Sequence, residues 1–163
     1  MAIVGYMGAG KTTLGRILAR DLKCEFVDLD RAVVKAAGKD IPEIFAEHGE
    51  EHFRDLEHAT LLDALEGLTP SVVACGGGVV VRRENRTLLS DVTTVFLRED
   101  LDVLYERTRG PGRPLRAASR EGFELRYRQR LPLYREVADL EVVAEGRTPT
   151  RVAEEVLGCL SKL

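Results

Sequence analysis

Gly5-Tyr6-Met7-Gly8-Ala9-Gly10-Lys11-Thr12-Thr13 is the stretch that decides how this chain is read. It follows the apolar run Ala2-Ile3-Val4 and precedes Leu14-Gly15-Arg16-Ile17-Leu18-Ala19-Arg20, so the pattern G-x-x-x-x-G-K-[ST] stands between a short strand and a helix. Glycines let such a loop curl until successive N–H groups point inward, and the helix N-terminus adds the positive end of its dipole. The product is a pocket for phosphate oxygens. Gly8, Ala9, Gly10 and Thr13 would supply its wall, Lys11 would reach the β- and γ-phosphates, and the Thr12 hydroxyl would ligate Mg²⁺. Nucleotide binding is the expectation. Only four residues precede Gly5, which leaves a short or trimmed first strand.

The 163 residues make one domain, with 44% hydrophobic and 31% charged residues and a net charge of -3. No basic excess points to DNA or RNA, and no run approaches the ~20 apolar residues of a membrane span. A signal-peptide pattern is lacking at the start, so a cytosolic protein is expected. Cys24, Cys75 and Cys159 are odd in number and widely spaced, which indicates neither a disulfide framework nor a zinc ribbon, and all three read as small buried residues. Arginine outnumbers lysine 19 to 5, and nine arginines fall between Arg107 and Arg135. A planar fork suits phosphate and carboxylate, although codon preference and a solvated helix face would produce the same bias.

Outward from the loop, strands alternate with helices. A helix over 11–22 leads to a strand Glu25-Phe26-Val27-Asp28-Leu29-Asp30, whose two aspartates would share one face at its carboxyl end. Ligands of open α/β sheets bind there. Gly38 ends a helix begun at Arg31, Asp40 with Pro42 starts another that breaks at Gly49, and Ser71-Val72-Val73-Ala74-Cys75 reads as a buried strand entering Gly76-Gly77-Gly78. Three glycines there leave bare backbone beside a ligand. Further on come a short helix at 84–89, a strand at 93–97, helices at 101–109 and 122–137, a strand at 140–143, and a final helix opened by Thr148-Pro149. Between the helices, 110–120 reads as a mobile, arginine-rich lid. The fold expected is α/β in three layers, a five-stranded parallel sheet flanked by helices.

A phosphate loop is shared by kinases, GTP switches and motors. An N/T-K-x-D guanine reader is lacking, while the paired aspartates and the arginine-rich segment favour phosphoryl transfer to a bound acceptor. In that chemistry the protein positions groups and stabilises charge, and a carboxylate orients the attacking hydroxyl. Asp28 and Asp30 would divide between the metal's water shell and the acceptor.

Several separated motifs closely resemble the shikimate kinases: Gly5 to Thr12, Asp28-Leu29-Asp30, Ile44-Phe45-Ala46-Glu47-x-Gly49-Glu50, Phe53-Arg54-x-x-Glu57, Gly76-Gly77-Gly78, Arg113-Pro114-Leu115 and Arg130-x-Pro132-Leu133-Tyr134-Arg135. The resemblance covers nearly the whole chain. It implies a P-loop fold like that of the nucleoside monophosphate kinases, with a mobile lid. It also implies transfer of the ATP γ-phosphate to the 3-hydroxyl of shikimate, with Mg²⁺, in aromatic amino-acid and chorismate biosynthesis. By position, Asp30 resembles the aspartate that binds the shikimate hydroxyls and acts as base or orienter. Arg54 and Arg130 resemble the two arginines on its carboxylate, with Arg130 preferred over Arg128 and Arg126 for its place before x-Pro132-Leu133-Tyr134. Gly77, flanked by Gly76 and Gly78, resembles the glycine whose N–H meets the substrate; Glu57 would hold Arg54, and Asp28 would meet Mg²⁺ through water. Arg113 resembles the lid arginine, and Arg107 and Arg147 the adenine-side arginines. The acceptor-binding helical segment would be about 31–60.

His48-Gly49-Glu50-Glu51-His52 fits a metalloprotease pattern, H-x-x-E-H, but Gly49 would interrupt the helix it needs. His58 reads as a helix-surface residue. The alternatives are a gluconate or nucleotide kinase of the same fold, and an idle nucleotide-binding module. A monomer is expected.

Overall fold

The computed structural model describes residues 1–109 and 119–162. In chain order the elements are β1 (Ala2–Val4), α1 (Lys11–Leu22), β2 (Glu25–Asp28), α2 (Leu29–Ala37), α3 (Ile41–Glu66), β3 (Ser71–Ala74), a 3₁₀ turn (Val79–Val81), α4 (Arg83–Ser90), β4 (Thr94–Arg98), α5 (Leu101–Arg107), α6 (Arg120–Val137), β5 (Leu140–Val143) and α7 (Pro149–Leu160). The five strands are parallel in the order β2-β3-β1-β4-β5. Short β1 is therefore central, and Ala2, Ile3 and Val4 are wholly buried. Right-handed crossovers then fix the layers. The chain steps from β1 to β2 in one direction and from β2 through β3 and β4 to β5 in the other, so α1 lies on one face and α3, α4 and α6 on the opposite one. The packing agrees: α7 lies against α1, and α4 lies against α3 and α6.

Two features place the functional residues. First, β2 stops at Asp28, and Asp30 belongs to the first turn of α2, so the expectation of two aspartates on one strand face is corrected. The cause is local: the Asp28 carboxylate accepts the Arg31 N–H at 3.3 Å, and Leu29 and Val33 bury one side of the new helix. Second, Val33, Ile44 and Phe53 form a small core of their own between α2 and α3, apart from the main one. Gly49, at φ 80° and ψ 179°, breaks α3 inside this segment and turns its second half, which carries Arg54 and Glu57, toward the sheet. Because of that break His48 and His52 do not share an unbroken helical turn. Among the described residues no group of three or more His, Cys, Asp or Glu is placed to hold a metal ion.

Ser119 accepts the Gly122 N–H at 3.1 Å and caps α6, which begins at Arg120, so the expected lid is shortened at that end. The rest of it, with Arg113, lies outside the described residues. Of the cysteines only Cys75 is fully buried; Cys24 and Cys159 are half-buried. No helix among the described residues is long and apolar enough to cross a membrane.

Candidate active site

The loop between β1 and α1 has Gly8 and Gly10 at φ 84° and 96°, left-handed values that admit glycine without strain. Lys11 Nζ donates to the carbonyls of Gly5 and Tyr6 at 2.8 and 2.9 Å, so the ammonium is folded over the loop. Thr12 Oγ1 donates to Asp28 Oδ2 at 2.9 Å. Tyr6 anchors the loop to α6: its ring packs edge-on against Phe123 and Tyr127, and its hydroxyl donates to the Phe123 carbonyl at 3.2 Å. Lys11, Thr12, Asp28, Asp30, Gly76 and Gly77 open onto one cavity of about 400 Å³.

The glycine triplet after β3 is explained by what crowds it. A Cβ on Gly76 would stand 2.7 Å from Asp30 Oδ1 and 3.0 Å from Glu57 Oε1, so two carboxylates close on the same bare backbone. On Gly77 it would meet the Met7 nitrogen at 3.1 Å, and on Gly78 the Arg54 guanidinium carbon at 2.7 Å. The bare backbone thus accommodates the protein's own polar groups. Arg54 Nη1 pairs with Glu57 Oε2 at 2.7 Å and Nη2 with Glu50 Oε1 at 3.1 Å. Glu57 is 1% exposed. Burial pushes its carboxyl above the usual range, and the Arg54 charge pulls it back. Arg54 is itself raised, since the two glutamates outweigh its burial. From α6, Arg130 Nη1 and the Tyr134 hydroxyl both donate to the Gly77 carbonyl, at 3.1 and 2.5 Å.

A second cavity, of about 280 Å³, lies on the other side of the loop between α5 and α7. Leu97, Ala144, Pro149 and Val152 give it apolar walls, and Arg107 and Arg147 stand at its edges. Arg107 Nη1 bridges Glu99 Oε2 at 3.0 Å and the Gly8 carbonyl at 3.3 Å, which ties the loop to α5. Arg147 donates to the Val143 carbonyl at 3.1 Å and pairs with Glu155. Largely apolar and lined in part by two guanidinium groups, this space suits an aromatic base, while the adjoining cavity suits phosphates and a polar acceptor.

Comparison with known proteins gives the family. The family profile described as Shikimate kinase matches residues 7–161. The chain belongs to the shikimate kinase family. It is 44% identical to the shikimate kinase of Salinispora tropica over 97% of this chain and 95% of that one. With the shikimate kinase of Persephonella marina the identity is 37%, over 96% and 95%. The solved shikimate kinase of Acinetobacter baumannii, in complex with shikimate, superposes with a TM-score of 0.94 at 33% identity, covering 99% of this chain and 92% of that one. A sugar kinase from Janibacter sp., at 17% identity and TM-score 0.66, shares the fold alone.

For a member of the shikimate kinase family, the sequence located most of the residues that converge. Thr12, Asp28, Asp30, Arg54, Gly76, Gly77, Gly78 and Arg130 gather around one cavity or the glycine turn beside it. The competing Arg128 points outward, its side chain 75% exposed. Residues that sequence reasoning passed over are Glu99, buried at 5% exposure against Arg107, and the hydroxyls of Tyr6 and Tyr134. Glu99 follows a buried strand as Asp28 ends one, and that position was the available signal. His58, expected on the surface, is half-buried with Nδ1 2.7 Å from Oδ1 of the fully buried Asn85, which in turn holds the Val79 carbonyl at 2.9 Å.

Proposed function

We propose that this member of the shikimate kinase family transfers the γ-phosphate of ATP to the 3-hydroxyl of shikimate, giving shikimate 3-phosphate and ADP. One observation supports it above the others: the phosphate loop, Asp30 and the turn that receives both Arg54 and Arg130 meet at a single cavity. A small hydroxylated acid needs forked cations for its carboxylate and a carboxylate for its hydroxyls. Arg54 and Arg130 are buried cations at the glycine turn, and Asp30 is the carboxylate beside it. Arg54 Nε is buried and meets no acceptor among the described residues, a donor that a bound carboxylate would satisfy.

In this reading Asp30 accepts the proton of the attacking hydroxyl, or orients that hydroxyl. The N–H groups of Gly76 to Gly78 face the acceptor, and Lys11 leaves the Gly5 and Tyr6 carbonyls to meet the β- and γ-phosphates. Arg107 and Arg147 flank the adenine, and Arg113 closes onto the phosphates from a lid at about 110–118. Hard oxygen donors suit Mg²⁺, and the Thr12 hydroxyl with the Asp28 carboxylate 2.9 Å away fits it: Thr12 as direct ligand, Asp28 through water. The ion supplies charge neutralisation on the transferring phosphate. Positioning of both substrates by this chain does the remainder.

A cytosolic monomer completes the proposal. Among the described residues the exposed large apolar side chains, Leu22, Leu68, Val81 and Leu125, come from four different parts of the chain. Size-exclusion chromatography with light scattering checks the monomer. The function is tested by ADP release from Mg-ATP with shikimate, gluconate, nucleoside monophosphates or no acceptor. Release that depends on shikimate alone is expected; release with a rival only, or without any acceptor, would discard Arg54, Gly77 and Arg130 as acceptor residues.

A further inference from the structure

The turn at Gly76-Gly77-Gly78 has no side chains with which to hold its own shape, so its restraints come from elsewhere. Two of its carbonyls are tied locally by the 3₁₀ turn: Gly76 accepts from Val79 N–H at 3.2 Å, and Gly78 from Val81 N–H at 3.0 Å. Gly77 is different. Its carbonyl receives the Tyr134 hydroxyl at 2.5 Å and Arg130 Nη1 at 3.1 Å, both from α6, which fills its two lone pairs. Arg130 has a second duty, since the proposed acceptor carboxylate draws the same guanidinium. Tyr134 has no such second duty toward the substrate: its hydroxyl meets only the Gly77 carbonyl and the Arg130 side chain among the described residues, it is 0% exposed, and its ring is stacked on Phe96 of β4 with centroids 5.1 Å apart and planes 21° apart.

We infer that Tyr134 is a positioning residue for the acceptor: its hydroxyl holds the Gly77 carbonyl and so frees Arg130 to turn to the substrate carboxylate. The inference rests on the acceptor reading above. With the carbonyl fixed toward α6, the trans peptide sends the Gly78 N–H the opposite way, away from Tyr134. Burial raises the phenol above its ordinary value, so the hydroxyl keeps its proton and remains a donor at neutral pH. Without that hydroxyl, Arg130 becomes the one remaining donor to Gly77 and must choose between the carbonyl and the substrate.

Tyr134→Phe retains the ring and removes one oxygen. Steady-state ADP release with shikimate and ATP varied in turn should show the KM for shikimate raised roughly three- to tenfold, the range of one lost hydrogen bond, with the KM for ATP within about twofold of wild type. In the Arg130→Lys background the penalty of Tyr134→Phe should change by about twofold or more, because the two side chains share one oxygen. An unchanged shikimate KM, an equal rise in both KM values, or full additivity of the two substitutions would overturn the inference and leave Tyr134 as packing. Wild-type ADP release that ignores shikimate would instead sink the acceptor reading, and this inference with it.

Discussion

Gly78→Ala perturbs the acceptor side through one steric contact. Gly78 sits at φ −101°, ψ −1°, a conformation alanine adopts, so the backbone offers no objection. The added methyl, however, would lie 2.5 Å from Arg54 Nη1 and 2.7 Å from its guanidinium carbon. Ordinary contact begins near 3.4 Å, so the guanidinium must retreat by about 0.9 Å. Directed away from Glu57, which at 1% exposure is held by its packing, that movement would stretch the 2.7 Å Arg54–Glu57 bond beyond hydrogen-bonding range. Losing a hydrogen bond to a charged group costs about 1.5–3 kcal/mol, which is about ten- to a hundredfold in affinity. In a domain of this size it is also about 3–12 °C in Tm. The assay is steady-state ADP release, shikimate and ATP varied separately, beside a thermal melt of the free protein. Expected are a shikimate KM raised about tenfold or more, an ATP KM within about twofold, and a lowered Tm. Gly158→Ala is the control: nothing lies within 4 Å of the added methyl on the exposed side of α7, so Tm should rise, by an amount corresponding to about 0.5–1 kcal/mol. A Gly78→Ala protein with the wild-type shikimate KM would show that the Arg54 position does not govern acceptor binding.

Arg54→Ala should raise the shikimate KM by about tenfold or more and leave ATP binding within about threefold, since it removes a charged donor from one substrate only; calorimetry with each ligand checks the split. Asp30→Asn should instead lower kcat by about a hundredfold or more with smaller changes in either KM, because it removes the group proposed to orient or deprotonate the hydroxyl; comparable losses in KM alone would assign it to binding. If Arg113 meets the transferring phosphate as proposed, Arg113→Ala should lower kcat more than it raises the KM for ATP. Burial pushes the Cys75 thiol up to about 12 from an ordinary 9. A folded-state value above the unfolded one means that the native state holds the proton longer, so this stabilisation is complete below pH 9 and is lost between about pH 9 and 12. Urea midpoints of wild type and Cys75→Ala should therefore converge as pH rises from 8 toward 11, and a gap that stays constant would contradict the burial argument.

Local signals in the sequence carried the elements because each has a local physical cause. Lys11–Leu22 begins where the loop glycines end, Asp40 caps α3 with Glu43 bonding back to it, and Thr148 with Pro149 opens α7. Where a local rule competed with another, sequence reasoning chose wrongly: Asp30 extended the alternation of a strand, but the side chain of Asp28 was already capping a helix. Likewise His58 looked solvent-facing until Asn85, 27 residues later, came to meet it.

By itself the sequence determined the phosphate loop, the glycine turn, the break at Gly49 and the carriers of charge, since glycine geometry, capping and hydrophobic period act over a few residues. Only the tertiary structure decided the strand order β2-β3-β1-β4-β5, which brings the loop after β1 beside the turn after β3. The same order let Arg54 and Arg130, 76 residues apart, converge on that turn, and let Glu99 and Tyr134 become the buried partners of Arg107 and Gly77. Those pairings are set by which strands lie side by side, and strand adjacency is a free-energy minimum of the whole core that no short stretch encodes.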